Sequence, residues 1–403
     1  MKLKTLAAAA AIVAATGIAH AQAQEPNKNY FTVYGIADVS AVFADSGFGN
    51  KVRFDGGGGM QASRLGFRAN RTFDSGITAL AVMEAGVQFS NGSVGTAAPV
   101  LGLNDTNASS GGQTGTGSRF FARQIYGGLR GSFGTLSIGR QYTGSYFGGV
   151  GMGSAAWPDG FYGQPGSLLP LVGGMPTRVD NSIAYLTPNW GGLEVLGTFT
   201  SGVQNNISAP TAVGSAATTQ TDKSGQGWDL LVRYRNGPLG LGGSTWSVNN
   251  GAYNVTAGET SLAKKKGVQL FGYYDFGWAL VSSILVTGKI NGGNYETVTK
   301  TLSNSSGWAL SARVPVTADK KHNIWVAYSA LNDKSLLNRD AKLYGVAYWY
   351  QMEPSTRLYA SWGQIKNNTN GLYALSDGGN LTGNVTTPGV KAKGIQVGIN
   401  YNF

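Results

Sequence analysis

Residues suited to bond-making chemistry are scarce in this chain. Of its 403 residues two are His and none is Cys. Without thiols there is no Cys protease, iron–sulfur cluster, zinc finger or disulfide scaffold. His322 lies in Asp319-Lys320-Lys321-His322-Asn323 with no nucleophile motif beside it, so a Ser/His/Asp arrangement has nothing to build on. The glycine runs Gly149–Gly153 and Gly56–Gly59 lack the strand–turn–helix context of a phosphate-cradling loop. No metal or cofactor is implied. The charges that remain act through their fields, which argues against an enzyme.

The elements that must position those charges are strands. From Tyr30 onward the chain alternates between segments rich in Val, Ile, Leu, Tyr, Phe and Trp and turns rich in Gly, Asn, Ser, Thr and Asp. Gly394–Phe403 puts Ile395, Val397, Ile399, Tyr401 and Phe403 on one face, and Gln396, Gly398, Asn400 and Asn402 on the other. That is strict period two. Sixteen strands follow from this texture, near 30–44, 61–73, 77–90, 118–132, 135–142, 178–188, 192–201, 227–235, 239–249, 267–276, 278–290, 307–317, 323–331, 342–351, 356–366 and 394–403. Seven short turns alternate with eight long loops, near 45–60, 91–117, 143–177, 202–226, 250–266, 291–306, 332–341 and 367–393. One rim is therefore trim, the other elaborate, and both chain ends fall on the trim rim.

Charged residues make up 13% of the chain, about half the soluble average. The mean hydropathy is −0.10. A strand in a bilayer cannot leave N–H or C=O groups unpaired, so the sheet must close on itself. Lipid demands an apolar outer face while a watery interior permits a polar inner one, and average hydropathy then falls near zero. The fold class is all-β: a sixteen-stranded antiparallel transmembrane barrel with long outer loops and short periplasmic turns. Tyr30, Tyr126, Trp190, Trp228, Trp278, Trp308, Tyr401 and Phe403 fit aromatic girdles at the two interfaces. Lys264-Lys265-Lys266 would attract phosphates of nucleic acid or lipopolysaccharide, but reads more simply as a solvated loop end at the outer headgroup level.

Met1–Ala23 reads as a secretory signal peptide. Lys2 and Lys4 form its basic start, Leu6–Ile18 its apolar stretch, and Ala19-His20-Ala21 and Ala21-Gln22-Ala23 its two A-x-A sites. Cleavage is placed after Ala21, with Ala23 the alternative. The apolar stretch is too short to cross a ~30 Å hydrocarbon core. Residues 22–403 then form one barrel domain, and losing Lys2 and Lys4 takes the formal charge from +11 to +9.

Several runs, in order, resemble a known family. They are Phe31-Thr32-Val33-Tyr34-Gly35-Ile36-Ala37-Asp38, Ser63-Arg64-Leu65-Gly66-Phe67-Arg68, Arg123-Gln124-Ile125-Tyr126-Gly127-Gly128-Leu129, Phe133–Gln141, Arg178–Tyr185 and the terminal Phe403. Together they are similar to Gram-negative outer-membrane general-diffusion porins of the neisserial, β-proteobacterial trimeric type. The resemblance implies a homotrimer in the outer membrane, surrounded by lipid and lipopolysaccharide and passing small hydrophilic solutes and inorganic ions. It also implies a third loop, here 143–177, folded inward to narrow each pore.

In that family an arginine wall faces an acidic loop, and the matching positions here are Arg64, Arg140 and Arg178. Arg68 shares the strand parity of Arg64. Simple alternation puts Arg140 with Leu136 and Ile138 on the lipid face, whereas a bulge at Gly139 would turn it inward. Glu84 is placed on the wall, holding arginines through charge-assisted bonds, and Tyr142 and Asp180 are weaker candidates for lining. Asp159 is the single carboxylate between Tyr142 and Arg178. This balance favours anions. The alternatives are a pore specific for a sugar or organic anion, for which Trp157, Phe161 and Tyr162 offer rings, and a barrel whose loops serve as adhesin or receptor.

Overall fold

The computed structural model describes residues 29–45, 49–55, 59–89, 92, 94, 120–153, 155, 168–202, 225–249, 264–291, 304–335, 337–371, 373, 375 and 388–403. The signal peptide reading, Asp159, Trp157, Phe161 and Tyr162 lie outside these residues.

The described chain is nearly all strand: β1 (Tyr30–Asp45), β2 (Asn50–Asp55), β3 (Arg64–Thr72), β4 (Thr78–Gly86), β5 (Gln124–Gly131), β6 (Gly134–Tyr142), β7 (Arg178–Leu186), β8 (Leu193–Ser201), β9 (Gln226–Asn236), β10 (Leu239–Asn249), β11 (Lys264–Asp275), β12 (Leu280–Asn291), β13 (Asn304–Pro315), β14 (His322–Asp333), β15 (Ala341–Glu353), β16 (Thr356–Asn367) and β17 (Lys391–Asn402). From β3 to β17 each strand pairs antiparallel with the next. The ring closes where Ile36–Asp45 of β1 pairs with Lys393–Asn402 of β17. Gly35 and Phe403 exchange two backbone bonds of 3.0 and 3.1 Å, sealing that seam at the trim rim.

All sixteen sequence-derived strands are present, with ends shifted by a few residues. β2 is additional. It pairs with Ser40–Asp45 while β3 pairs with Tyr30–Ile36 on the same edge of β1. β2 and β3 thus share one wall position, and seventeen segments make a closed sixteen-strand barrel. The six-residue β2 lies inside the long loop expected at 45–60, too short to show a period in sequence.

The alternation is inside-out relative to a soluble protein. Ile138, Leu270 and Leu285 are 61%, 59% and 57% exposed on the outer face. Ser182, Thr198, Ser282, Ser311 and Gln396 are buried on the inner face. Trp190, Trp228, Trp278, Trp308, Tyr401 and Phe403 are exposed, as a girdle requires. Tyr30 and Tyr126 depart from that expectation. They share parity with the inner face, opposite to exposed Phe31 and Ile125, and the Tyr30 hydroxyl accepts a bond from Asn70. His322 opens β14, bonds Tyr348 through Nδ1 at 2.6 Å and stacks on Tyr350.

Among the described residues, two segments turn into the barrel. Between β2 and β3, Gly59–Ser63 is buried against the inner wall. Asp38 holds it: its Oδ2 accepts the Gln61 N–H at 2.9 Å, and its backbone bonds Ser63 twice at 3.0 Å. Tyr359 and Asn400 donate to the same carboxylate from β16 and β17. Met60, fully buried, packs on Trp325, Trp349 and Tyr359.

The third loop is the larger intrusion. It opens with α1 (Gly144–Gly148), capped by the Thr143 hydroxyl, which accepts the Tyr146 N–H. A π turn over Gly149–Gly153 and a tight helical turn over Leu169–Gly174 follow. Its neck is closed by the Thr143 N–H donating to the Thr177 carbonyl at 3.1 Å. These turns lie on the inner faces of β9–β13. Gly149 and Gly153 let the loop lie flush on that wall, where an added Cβ would come within 2.8 Å of the Gln269 side chain and 2.1 Å of the Ile284 side chain.

Candidate pore constriction

The inner wall under the third loop is apolar. Tyr146, Phe147, Met152, Leu168, Leu169 and Val172 of the loop pack on Leu231, Trp246, Phe271, Ile284 and Val286 of the wall. Polar bonds fix the register. Both oxygens of Asp229 accept the Ser145 N–H, at 3.0 and 3.2 Å. The Gln269 amide donates to the Ser145 carbonyl, and the Trp246 indole N–H donates to the Gly173 carbonyl at 3.1 Å. Gly173 has φ +64°, and a Cβ there would sit 2.6 Å from the Lys266 carbonyl oxygen. No other residue fits both constraints without strain.

Opposite the loop stand the arginines, on β3, β6 and β7 and just ahead of β5. Arg64 Nε donates to the Ala62 carbonyl at 2.8 Å, so the inward Gly59–Ser63 segment orients it. Arg68 lies 4.9 Å from the centre of the Tyr34 ring. Arg178 lies 4.1 Å from the centre of the Tyr142 ring and donates to its hydroxyl. Arg140 Nε donates to the Ala122 carbonyl at 2.7 Å, and its Nη1 pairs with Asp180 at 2.6 Å. Gly139 has φ +136°, and the β6–β7 register shifts between Gly139 and Gln141. That bulge reverses the parity that put Arg140 among lipid-facing residues; the side chain is 8% exposed.

Glu84 lies among these arginines. Its Oε1 accepts Arg123 Nε at 2.7 Å and its Oε2 accepts the Tyr34 hydroxyl at 3.0 Å. Arg123 also donates to the Tyr142 hydroxyl at 2.7 Å. Arg123 falls within one of the resembling runs but is not among the positions that parity or the family match singles out. Parity pairs Arg123 with outward Ile125; the residue, however, precedes the strand, where alternation has not begun. Its bond to Glu84 is across two strands and leaves no local signal.

Arg64, Arg68 and Arg123, with Tyr34, Glu84, Tyr142, Tyr146 and Phe147, line a cavity of about 420 Å³. Arg140 and Arg178 are not among its lining residues. Of the five guanidiniums, Arg123 and Arg140 are paired with Glu84 and Asp180. Arg64, Arg68 and Arg178 form no ion pair among the described residues. The net field of the cluster is positive, and buried charges are screened less by salt than exposed ones.

A prediction arises from Gly139. An added Cβ would lie 2.3 Å from the Ile125 carbonyl oxygen. Gly139→Ala should flatten the bulge, displace Arg140 from Asp180 and lower both heat stability and anion preference. Gly197→Ala, where a Cβ meets nothing within 4 Å, should leave both unchanged. Unfolding of the sodium dodecyl sulfate-resistant barrel on heating, with zero-current potentials, checks the pair.

A closed barrel that is apolar outside, polar inside and narrowed by an inward loop opposite an arginine wall is a channel of the bacterial outer membrane, not an enzyme. The chain belongs to the Gram-negative porin family, which matches residues 7–370. It is 26% identical over 412 residues to outer membrane porin protein 32 of Delftia acidovorans, covering 98% of each chain. It is also 26% identical over 400 residues to an outer membrane porin protein of Bordetella pertussis, covering 90% of this chain and 94% of the other. Among solved structures, the anion-selective porin of Comamonas acidovorans superposes with a TM-score of 0.69 at 22% identity, over 93% of this chain and all of the other. The trimer form of OmpT from Vibrio cholerae gives 0.63 at 15% identity, over 94% and all, respectively.

Proposed function

We propose that this porin is anion-selective and that Arg64, Arg68, Arg140 and Arg178 set the selectivity at the constriction, with Arg123 held in the same cluster by Glu84. The single observation that carries the reading is the excess of guanidinium over carboxylate on one wall of the narrowed lumen. Asp159, the one carboxylate between Tyr142 and Arg178 in the sequence, is the loop's sole acidic contribution. The solved neighbour described as an anion-selective porin supports the same direction. Passive conduction needs only a wet path and a field at its narrowest point.

The protein works as a homotrimer within lipid and lipopolysaccharide, each subunit with its own pore. β3–β8 have eight or nine residues each, whereas β9–β17 have eleven to thirteen. Nine residues tilted by about 40° span roughly 23 Å, marginal against the ~25 Å apolar band of such barrels. The short side is the natural face for a second copy. Conductance steps grouped in threes would report the trimer.

The test of selectivity exchanges one ion at a time in single-channel recordings. Replacing chloride with a bulky organic anion should lower conductance severalfold, whereas replacing potassium with a bulky cation should change it little. The opposite ranking would overturn the reading.

A further inference from the structure

Asp38 is a carboxylate on the inner face of a pore read as anion-selective, and it is fully buried. It stands where the β1 ladder changes partner. Ile36 pairs with Arg64 of β3, and Ser40 pairs with Asp55 of β2. Asp38 falls between the two, where the chain has left the wall for the Gly59–Ser63 segment. Backbone groups opened by such a gap in a bilayer-spanning strand need partners. Ser63 supplies them: its hydroxyl accepts the Asp38 N–H and donates to the Asp38 carbonyl, at 3.0 Å each.

The Asp38 side chain fixes the same segment. Its Oδ2 accepts the Gln61 N–H at 2.9 Å and the Asn400 amide at 2.8 Å, and its Oδ1 accepts the Tyr359 hydroxyl. Bonds to an ionised acceptor are roughly twice as strong as neutral ones. Gly59 presses directly on this group. An added Cβ there would lie 1.8 Å from Asp38 Oδ1 and from the Tyr359 hydroxyl oxygen. Met60, the next residue, is fully buried against Trp325, Trp349 and Tyr359. The segment thus has one seat, centred on Asp38.

The far end of the segment reaches the lumen. Gln61 and Arg64 line the constriction cavity on this side, and Tyr146 and Phe147 of the third loop line it on another. Arg64 takes its direction from the segment, through the Ala62 carbonyl.

We propose that Gly59–Ser63 is a second jaw of the constriction and that Asp38 is a positioning residue for selectivity, seating this jaw and through it aiming Arg64 into the lumen. The Arg64 part rests on the anion-selective reading above, whereas the jaw itself does not. The expected sign is opposite to that of charge alone. Removing a carboxylate from the wall should raise anion preference if only its field counts. Arg64 lines the cavity and Asp38 does not, so displacing the guanidinium outweighs losing the carboxylate. Asp38→Asn keeps an oxygen for Gln61 and Asn400 and can donate to the Tyr359 oxygen, so it should hold the seat.

Asp38→Ala, Asp38→Asn and Gly59→Ala would be compared with wild type by zero-current potentials in planar bilayers and by uptake of neutral sugars of graded size into vesicles. Asp38→Ala and Gly59→Ala should admit the larger sugars severalfold faster. Their chloride-to-potassium permeability ratio should fall, by about threefold in Gly59→Ala, the screened share of one guanidinium. Asp38→Asn should match wild type in uptake and equal or exceed it in the ratio. A loss of barrel stability alone would lower the heat-unfolding temperature and move neither readout, which would overturn the proposal. A ratio that rises in Asp38→Ala would also overturn it, as would an Asp38→Asn channel as leaky as Asp38→Ala. Gly59→Ala alters no charge, so it decides the matter even where Asp38→Ala fails to assemble. A wild type without anion preference would overturn the Arg64 part together with the selectivity reading, and sugar uptake then decides the jaw by itself.

Discussion

Replacing Arg64, Arg140 and Arg178 together by Gln should abolish the preference for anions. Glu84 and Asp180 would remain, with Arg123 and Arg68 left to balance them. One charge roughly 7 Å from a passing ion contributes about 0.6 kcal/mol in water and more where protein excludes water. Three charges give about 2 kcal/mol, cut to about half by 0.1 M salt, whose Debye length is ~10 Å. The same field lowers an anion and raises a cation, so the permeability ratio moves by about twice the screened value, on the order of tenfold or more. Pore size should change little, since Gln keeps most of the side-chain length. A triple variant that stays as anion-selective as wild type would remove the arginine wall from the account.

The second large effect concerns the loop. Trp246 is 1% exposed between the third loop and the wall, and its indole bonds the Gly173 carbonyl. Truncating a buried Trp to Ala typically costs about 3–5 kcal/mol, and the lost hydrogen bond adds about 1 kcal/mol. The barrel ladders do not depend on this contact, so the loss falls on the loop's attachment. Trp246→Ala combined with Asp229→Ala, which also frees the Ser145 N–H, should release the loop from β9–β12. Single-channel conductance should rise and become noisy, and larger sugars should enter reconstituted vesicles. Unchanged conductance and an unchanged size limit in a folded variant would show that the loop does not set the width.

Period two made the barrel legible. A residue in a lipid-spanning strand faces either lipid or lumen, and Gly394–Phe403 states that choice without exception. The same rule hid what lies at strand ends and breaks. Arg123 precedes β5, Arg140 follows a bulge, and β2 is too short to repeat. Tyr30 and Tyr126 have girdle chemistry but inner parity. The Asp38 network joins residues more than 300 apart in sequence, through Tyr359 and Asn400. Such contacts are fixed by ring closure, which a local pattern does not encode.

The central claim is that the arginine excess at the constriction makes the pore prefer anions. The zero-current potential across a planar bilayer holding the wild-type protein, in a tenfold potassium chloride gradient, tests it most directly. Chloride crossing faster than potassium should leave the dilute side negative, toward the ~59 mV limit of a fully selective channel. A dilute side that is positive, or a potential near zero, would contradict the account.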